Sequence, residues 1–250
     1  MNILKYILSF TLLLAATAAW GNESLEEKAN YITLTSQNGL TSDNVYDICM
    51  DKNGCLWFAT SIGLSRYDGS TVKTWFKEDM NIRSNYINYV YYDSRDRLWI
   101  GSANGVAIYD INTEKFLTLE LLSGATIENK AAWFFEDSDG TMWISFKQHG
   151  IISVNPDTFK IRRYFQSMGE EDYFNRIWFE PENDLFLLGH IDKGLFYVDM
   201  EKETIEPFHP TGSKSATPFE GKTIKSLLKT DDKVLCFRRY VVKFIFQPAI

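Results

Sequence analysis

The fold is decided by a short stretch that opens with an aspartate and closes with a tryptophan, Asp51-Lys-Asn-Gly-Cys-Leu-Trp57. An acidic residue leads a polar turn here, and an aromatic residue follows six positions later. The pattern returns as Asp93-Ser-Arg-Asp-Arg-Leu-Trp99, Asp137-Ser-Asp-Gly-Thr-Met-Trp143 and Glu180-Pro-Glu-Asn-Asp-Leu-Phe186. The four aromatic residues are 42, 44 and 43 positions apart, which indicates a chain built from repeats.

Each repeat continues with a glycine and then an aliphatic residue. The glycines are Gly63, Gly105, Gly150 and Gly194. Runs of apolar and β-branched residues on both sides of the turn and the glycine predict four short strands per repeat, and helical periodicity is absent. A repeat of about 40–45 residues with four strands is one blade of a β-propeller.

We therefore predict an all-β protein, a partial β-propeller of about five four-stranded antiparallel blades within residues 31–250. The predicted blades span about 45–76, 87–121, 131–165, 174–210 and, in part, 224–246. The fifth repeat has Cys236 in the aromatic position and loses the pattern after Phe237, since no glycine appears near positions 242–244. A large flat ring fills the space between neighbouring blades. We interpret Trp57, Trp99, Trp143 and Phe186 as structural residues rather than as sugar-stacking residues.

The first 21 residues are predicted to be a signal peptide that is removed from the mature chain. A lysine at position 5 precedes an apolar run from Tyr6 to Ala16, and small residues follow up to Ala19. The apolar run is too short for a stable membrane span, and no later run is longer. We therefore expect an exported, periplasmic protein without a membrane span in its mature part.

Composition and motifs exclude several classes of function. A net charge of -7 argues against nucleic acid as the main partner. Three cysteines cannot supply a disulfide framework, and the three histidines show no spacing typical of a metal site. No P-loop, nucleophile elbow or glycine-rich cofactor turn is present, so we expect no cofactor, no metal and no enzymatic activity.

The repeat resembles the two-component-regulator propeller family. The resemblance rests on the lead-in from Gly39 to Val45 and on the pattern Asp51-x-x-Gly54-x-Leu56-Trp57-x-x-Thr60-x-x-Gly63-Leu64-x-x-Tyr67-Asp68-Gly69. It covers roughly residues 31–237, is specific in the first three repeats and weakens in the fourth, where Pro181 follows Glu180 and a phenylalanine replaces tryptophan. The family builds the periplasmic sensor regions of hybrid two-component system proteins in Bacteroidetes-type bacteria.

The resemblance implies a sensor that binds glycan fragments and signals through a membrane span to a histidine kinase. Relatives close rings of seven blades and continue into further domains, and five repeats fill this chain. We therefore expect the N-terminal fragment of a longer sensor. Sensors of this kind are expected to form homodimers, but nothing in the sequence marks a dimer face.

One column of residues is a candidate ligand site. Most columns of the first strand in each repeat are apolar, such as those of Val45 and Ile48. One column between these two varies in chemistry and holds Asp47, Tyr89, Trp133, Arg176 and Ser226. First strands line the central channel of a propeller, and such side chains can grip an oligosaccharide by hydrogen bonds and stacking. The alternative, which the residue types alone favour, is that they fill or hydrate the channel.

Two other classes of function stay open at this point. A propeller that hydrolyses or cleaves glycans needs two or three carboxylates facing one channel, and only Asp47 occupies the candidate column. A scaffold that binds another protein would use its loops, and the loops from Lys77 to Asn85 and from Met200 to Thr223 are polar and undistinguished.

Overall fold

The computed structural model describes ten stretches of the chain, within which all of the following statements hold. They are residues 32–123, 131–146, 150–165, 174–180, 185–190, 193–200, 202–208, 224–230, 233–238 and 241–245. The predicted signal peptide lies outside them. The chain divides into a unit of residues 1–33 and a unit of residues 34–250, and the second contains every strand below.

Nineteen strands form five antiparallel sheets in the described residues. The first two sheets contain β1 (Val45–Met50), β2 (Leu56–Thr60), β3 (Leu64–Tyr67), β4 (Val72–Trp75), β5 (Ile87–Tyr92), β6 (Arg97–Ser102), β7 (Val106–Asp110) and β8 (Lys115–Thr118). The next two contain β9 (Ala131–Glu136), β10 (Met142–Phe146), β11 (Ile151–Val154), β12 (Ile161–Tyr164), β13 (Phe174–Glu180), β14 (Leu185–His190), β15 (Leu195–Asp199) and β16 (Thr204–Pro207). The fifth contains β17 (Ile224–Thr230), β18 (Lys233–Arg238) and β19 (Val241–Ile245).

Within each sheet the strands pair in the order in which they follow along the chain. The first strand of each sheet lies beside the first strand of the next, so that β1, β5, β9, β13 and β17 are neighbours in turn. This is the arrangement of successive propeller blades, and the prediction of an all-β propeller is confirmed.

The core lies between the sheets, because each tryptophan of the repeat contacts a ring of the following sheet. The rings of Trp57 and Tyr109 have centroids 5.2 Å apart, and those of Trp99 and Phe134 are 6.3 Å apart. Trp143 approaches Phe186 at 4.9 Å. Trp57 and Trp99 have no exposed surface. Burying rings of this size removes on the order of 150–250 Å² each from water, so these contacts join the sheets into one body.

The fifth repeat keeps its strand pairing after Phe237, although the sequence pattern is lost there. Within the predicted range of 224–246, β19 pairs with β18 from Val241 opposite Arg238 to Ile245 opposite Val234. Pairing of backbone groups requires an extended chain and not the glycine of the other repeats. One detail differs from the sequence-based expectations, because the connections between sheets contain two one-turn helices, α1 (Lys77–Met80) and α2 (Leu119–Ser123).

Candidate functional site

In the first three repeats the aspartate and the tryptophan are joined by a hydrogen bond that the repeat pattern alone did not predict. Trp99 Nε1 donates to Asp93 Oδ2 at 2.8 Å. The other carboxylate oxygen, Asp93 Oδ1, accepts the backbone amides of Arg95 and Arg97, each at 2.9 Å. The same indole bond measures 2.8 Å from Trp57 to Asp51 and 2.7 Å from Trp143 to Asp137. The spacing of six residues is the sequence signal of this bond.

The carboxylate of Asp93 is buried and holds its turn together. Asp93 is 2% exposed, and its Oδ2 also accepts the Arg97 guanidinium nitrogens Nε and NH2, both at 2.7 Å. Both oxygens are thus occupied by donors from the same hairpin. A general acid or base needs a lone pair or a proton that faces the substrate, and Asp93 offers neither.

The repeat glycine closes the turn between the second and third strands. Its carbonyl oxygen accepts a backbone amide from the second strand, as from Ser102 to Gly105 at 3.1 Å and from His190 to Gly194 at 2.8 Å. Gly105 has φ +107°, in the left-handed region that favours glycine. At Gly63 the requirement is space, because a Cβ there would lie 2.7 Å from the Trp75 carbonyl oxygen. Gly150 occupies the same place in the third repeat.

The candidate column lies directly after a bulge in every first strand. The pairing with the second strand skips one residue, at positions 46, 88, 132, 175 and 225. The column residues follow these positions. Small residues lie opposite the first four of them, namely Ala59, Gly101, Ser145 and Gly189. A bulge re-aims the next side chain, so this column has a direction that a regular strand would not give it.

The structure brings two of the column side chains together. The ring of Tyr89 lies 4.4 Å from that of Trp133, centroid to centroid. Tyr89 is only 8% exposed, whereas Trp133 is half-buried. Asp47 reaches the second sheet in another way, because its Oδ2 accepts the backbone amide of Val90 at 3.1 Å. Arg176 holds the equivalent backbone position in β13, and its side chain is outside the described part.

A separate cleft of about 220 Å³ lies where the first and second sheets are joined. Its lining comes from the residues after α1, from the turn between β6 and β7, and from the end of β8 with the start of α2. By sequence, residues 77–85 are an undistinguished polar loop. Met80 is in fact fully buried and Ile82 is 9% exposed, so the only signal was two apolar residues in an otherwise polar connection.

Two features are absent from the described residues. These residues contain no group of three or more histidine, cysteine, aspartate or glutamate side chains that would hold a metal ion. Among the same residues, no helix has the length and apolar character that a membrane crossing requires. Cys49 and Cys55, which the register of the hairpin keeps out of direct opposition, are free thiols.

Comparison with known proteins gives a family match for two segments. Residues 39–61 and 81–104 match the family model described as "Two component regulator propeller". The first segment covers β1 and β2 of the first repeat, and the second begins directly after α1 and covers β5 and β6 of the second repeat. A search of curated proteins found no match.

Solved structures share the fold at low sequence identity. The extracellular domain of a hybrid two-component system of B. thetaiotaomicron has a TM-score of 0.65 and 20% identity, over 88% of this chain and 37% of that one. A streptogramin B lyase has a TM-score of 0.59 and 12% identity, over 84% of this chain and 71% of that one. PorZ, a type-IX secretion component of Porphyromonas gingivalis, has a TM-score of 0.55 and 10% identity, over 86% of this chain and 27% of that one. The chain thus spans little more than a third of the first of these proteins.

Proposed function

We propose that this chain, which belongs to the two-component regulator propeller family, is an exported ligand-sensing region of a two-component signalling receptor. The observation that carries this proposal is the match of residues 39–61 and 81–104 to the model of that family. The fold it shares with the extracellular domain of a hybrid two-component system is consistent with it. In such a receptor, ligand binding to the propeller would control a histidine kinase across the membrane.

The ligand we propose is an oligosaccharide, bound along the column of Asp47, Tyr89, Trp133 and Arg176. Two features support this site. The adjacent rings of Tyr89 and Trp133 offer an aromatic surface, and Trp133 keeps part of its ring accessible. Carboxylate and guanidinium groups at equivalent positions in the other blades supply acceptors and donors for hydroxyl groups. A pocket with a few convergent polar groups on an apolar frame is typical of small-ligand sites.

Binding of oligosaccharides by the purified chain tests both parts of the proposal. A panel of oligosaccharides from digested plant and host glycans is titrated calorimetrically into the chain and into Trp133→Ala and Arg176→Ala. The control is Tyr197→Ala, which removes an exposed aromatic side chain in β15, outside the column. We expect each column variant to weaken binding by about tenfold or more, and the control to bind as the parent does.

The outcomes separate the site from the function. Binding that is unchanged in both column variants removes the column as the site. Failure of every oligosaccharide in the panel to bind removes the glycan part of the proposal. Thermal melting of each variant shows whether a loss of binding is caused by unfolding. This control matters for Trp133, because it packs against the core between the second and third sheets.

A further inference from the structure

The cleft between the first and second sheets has the size and chemistry of a small ligand site. We call it the junction cleft and define it by Asn81, Arg83, Asn104, Thr118 and Glu120, which supply its polar groups. Its volume of about 220 Å³ is below the range of about 300–1,000 Å³ that holds drug-sized ligands. The occupant is therefore one small unit and not an extended chain.

The charges in the junction cleft balance each other. Arg83 NH2 lies 3.6 Å from Glu120 Oε2, so one cation and one anion of the lining form a pair. A charged ligand would compete with one member of this pair for the other. A hydroxyl group does not, because it accepts from the guanidinium and donates to the carboxylate at the same time. The charge balance therefore favours an uncharged ligand that carries several hydroxyl groups.

Asn104 contributes an acceptor that the protein leaves unused. Its Oδ1 is buried, and no group among the described residues donates to it. A buried amide oxygen without a donor is unfavourable, and rotation of the Asn104 side chain would bring this oxygen to a ligand hydroxyl group in the cleft. The side-chain amide of Asn104 is also not needed to form its turn. The equivalent residue of the first repeat is Ile62, and the backbone bonds agree, from Asn104 N to Ser102 Oγ at 3.1 Å and from Ile62 N to Thr60 Oγ1 at 3.2 Å.

We propose that the junction cleft is a second binding site that takes a single neutral sugar residue, with Asn104, Arg83 and Glu120 as its hydrogen-bonding groups. The site contains none of the channel-column residues and does not depend on them. The proposal therefore stands or falls separately from the site proposed above.

The test measures the binding of small probes to the whole chain by saturation-transfer NMR and calorimetry. The probes are three neutral methyl glycosides (of glucose, galactose and mannose), two acidic sugars (glucuronate and galacturonate) and the amino acid serine. Asn104→Ile places in the cleft the residue that the first repeat carries in the same turn, so the variant should fold. Ile62→Asn makes the reverse change outside the cleft and is the matched control.

We expect at least one neutral glycoside to bind, Asn104→Ile to weaken it by about tenfold or more, and Ile62→Asn to leave it unchanged. Glu120→Gln removes the negative charge beside Arg83, so this variant should gain affinity for the acidic sugars. Absence of neutral glycoside binding overturns the proposal, and so does tighter binding of an acidic sugar or of serine by the parent chain. Binding lost in Trp133→Ala but kept in Asn104→Ile assigns the sugar to the channel and also overturns it.

Discussion

Ile48 and Val90 hold the same place in two successive repeats, yet Ile48 is 53% exposed and Val90 is 2% exposed. Each is the fourth residue of its first strand and pairs with the second strand in the same register, with Phe58 and Ile100 respectively. Val90 lies in the core that contains Trp57 of the preceding sheet. Among the described residues no sheet precedes β1. Burial at this position is therefore provided by the neighbouring sheet and not by the residue's own sheet.

The whole outward side of β1 shares this exposure. Tyr46, Ile48 and Met50 are 48%, 53% and 62% exposed, and the residues between them are half-buried. In β9 of the third sheet the equivalent of Ile48 is Phe134, which is 1% exposed and lies against Trp99 of the second sheet. An apolar residue is thus retained at a position where the described structure gives it nothing to pack against.

A charge at each of the two positions tests this comparison most severely. Val90→Asp buries an unpaired carboxylate in the core that contains Trp57 and should lower the free energy of unfolding by about 4 kcal/mol or more. Ile48→Asp exposes its charge to water and should change the free energy of unfolding by about 0.5 kcal/mol or less. Urea denaturation of both variants measures the difference. Equal losses would mean that Ile48 is covered in solution, and the comparison would fail.

The bond between indole and carboxylate accounts for a smaller share of the stability. Trp99→Phe keeps an aromatic ring between the second and third sheets but removes the Nε1 donor to the buried Asp93. We expect a loss of about 1–3 kcal/mol in urea denaturation, because a hydrogen bond to a charged group is broken in the core. Phe186→Trp is the reverse change in the fourth repeat, which carries phenylalanine naturally. A Trp99→Phe variant as stable as the parent would show that the ring alone matters.

Asp47 gives a weaker link between the first and second sheets. Its Oδ2 accepts the Val90 amide, so Asp47→Ala should cost about 0.5–1.5 kcal/mol in urea denaturation. Asp47→Asn retains an acceptor oxygen and should keep most of this stability. Equal losses in the two variants would assign the effect to the negative charge. Unchanged stability in both variants would contradict this link between the two sheets.

The sequence predicted those parts of the structure that depend on neighbours along the chain. The spacing from Asp51 to Trp57 marks a hairpin that closes on itself, and the four-strand repeat follows from it. The bulges were not predictable, because the skipped residues Tyr46 and Asn88 share no chemical feature and the bulge is a property of the pairing with the second strand. The exposure of Ile48 was not predictable for a similar reason. It depends on whether another sheet covers that side of β1, and not on residues near Ile48 in the sequence.

The junction cleft and the third strand of the fifth sheet show the same limit. The cleft joins residues from three separate connections, and no local pattern places Arg83 beside Glu120. The strand Val241–Ile245 lacks the repeat glycine and pairs with β18 nevertheless. A repeat pattern indicates where a turn needs a particular residue. It does not predict a strand that forms by backbone pairing alone.

The reactivity of Cys49 compares the two sides of β1 and is the smallest effect that we predict. Cys49 lies next to Ile48 in sequence but packs toward the second sheet. Burial, together with the negative charges of Asp47 and Asp51, raises the pKa of the Cys49 thiol to about 12. At pH 8 the reactive thiolate is then about a thousandfold scarcer than for a thiol of ordinary pKa. Iodoacetamide labelling followed by peptide mass spectrometry should therefore find Cys49 slow in the folded chain and fast in urea.

The raised pKa also fixes the sign of the pH dependence. Because the folded chain keeps this thiol protonated, its contribution to stability is complete below about pH 9 and is lost as the pH rises towards 12. Asp47→Asn removes one of the two charges, so Cys49 should label faster in that variant although its packing is unchanged. Fast labelling of Cys49 in the folded parent would contradict the prediction. It would mean that β1 is as open on the side of the second sheet as it is at Ile48.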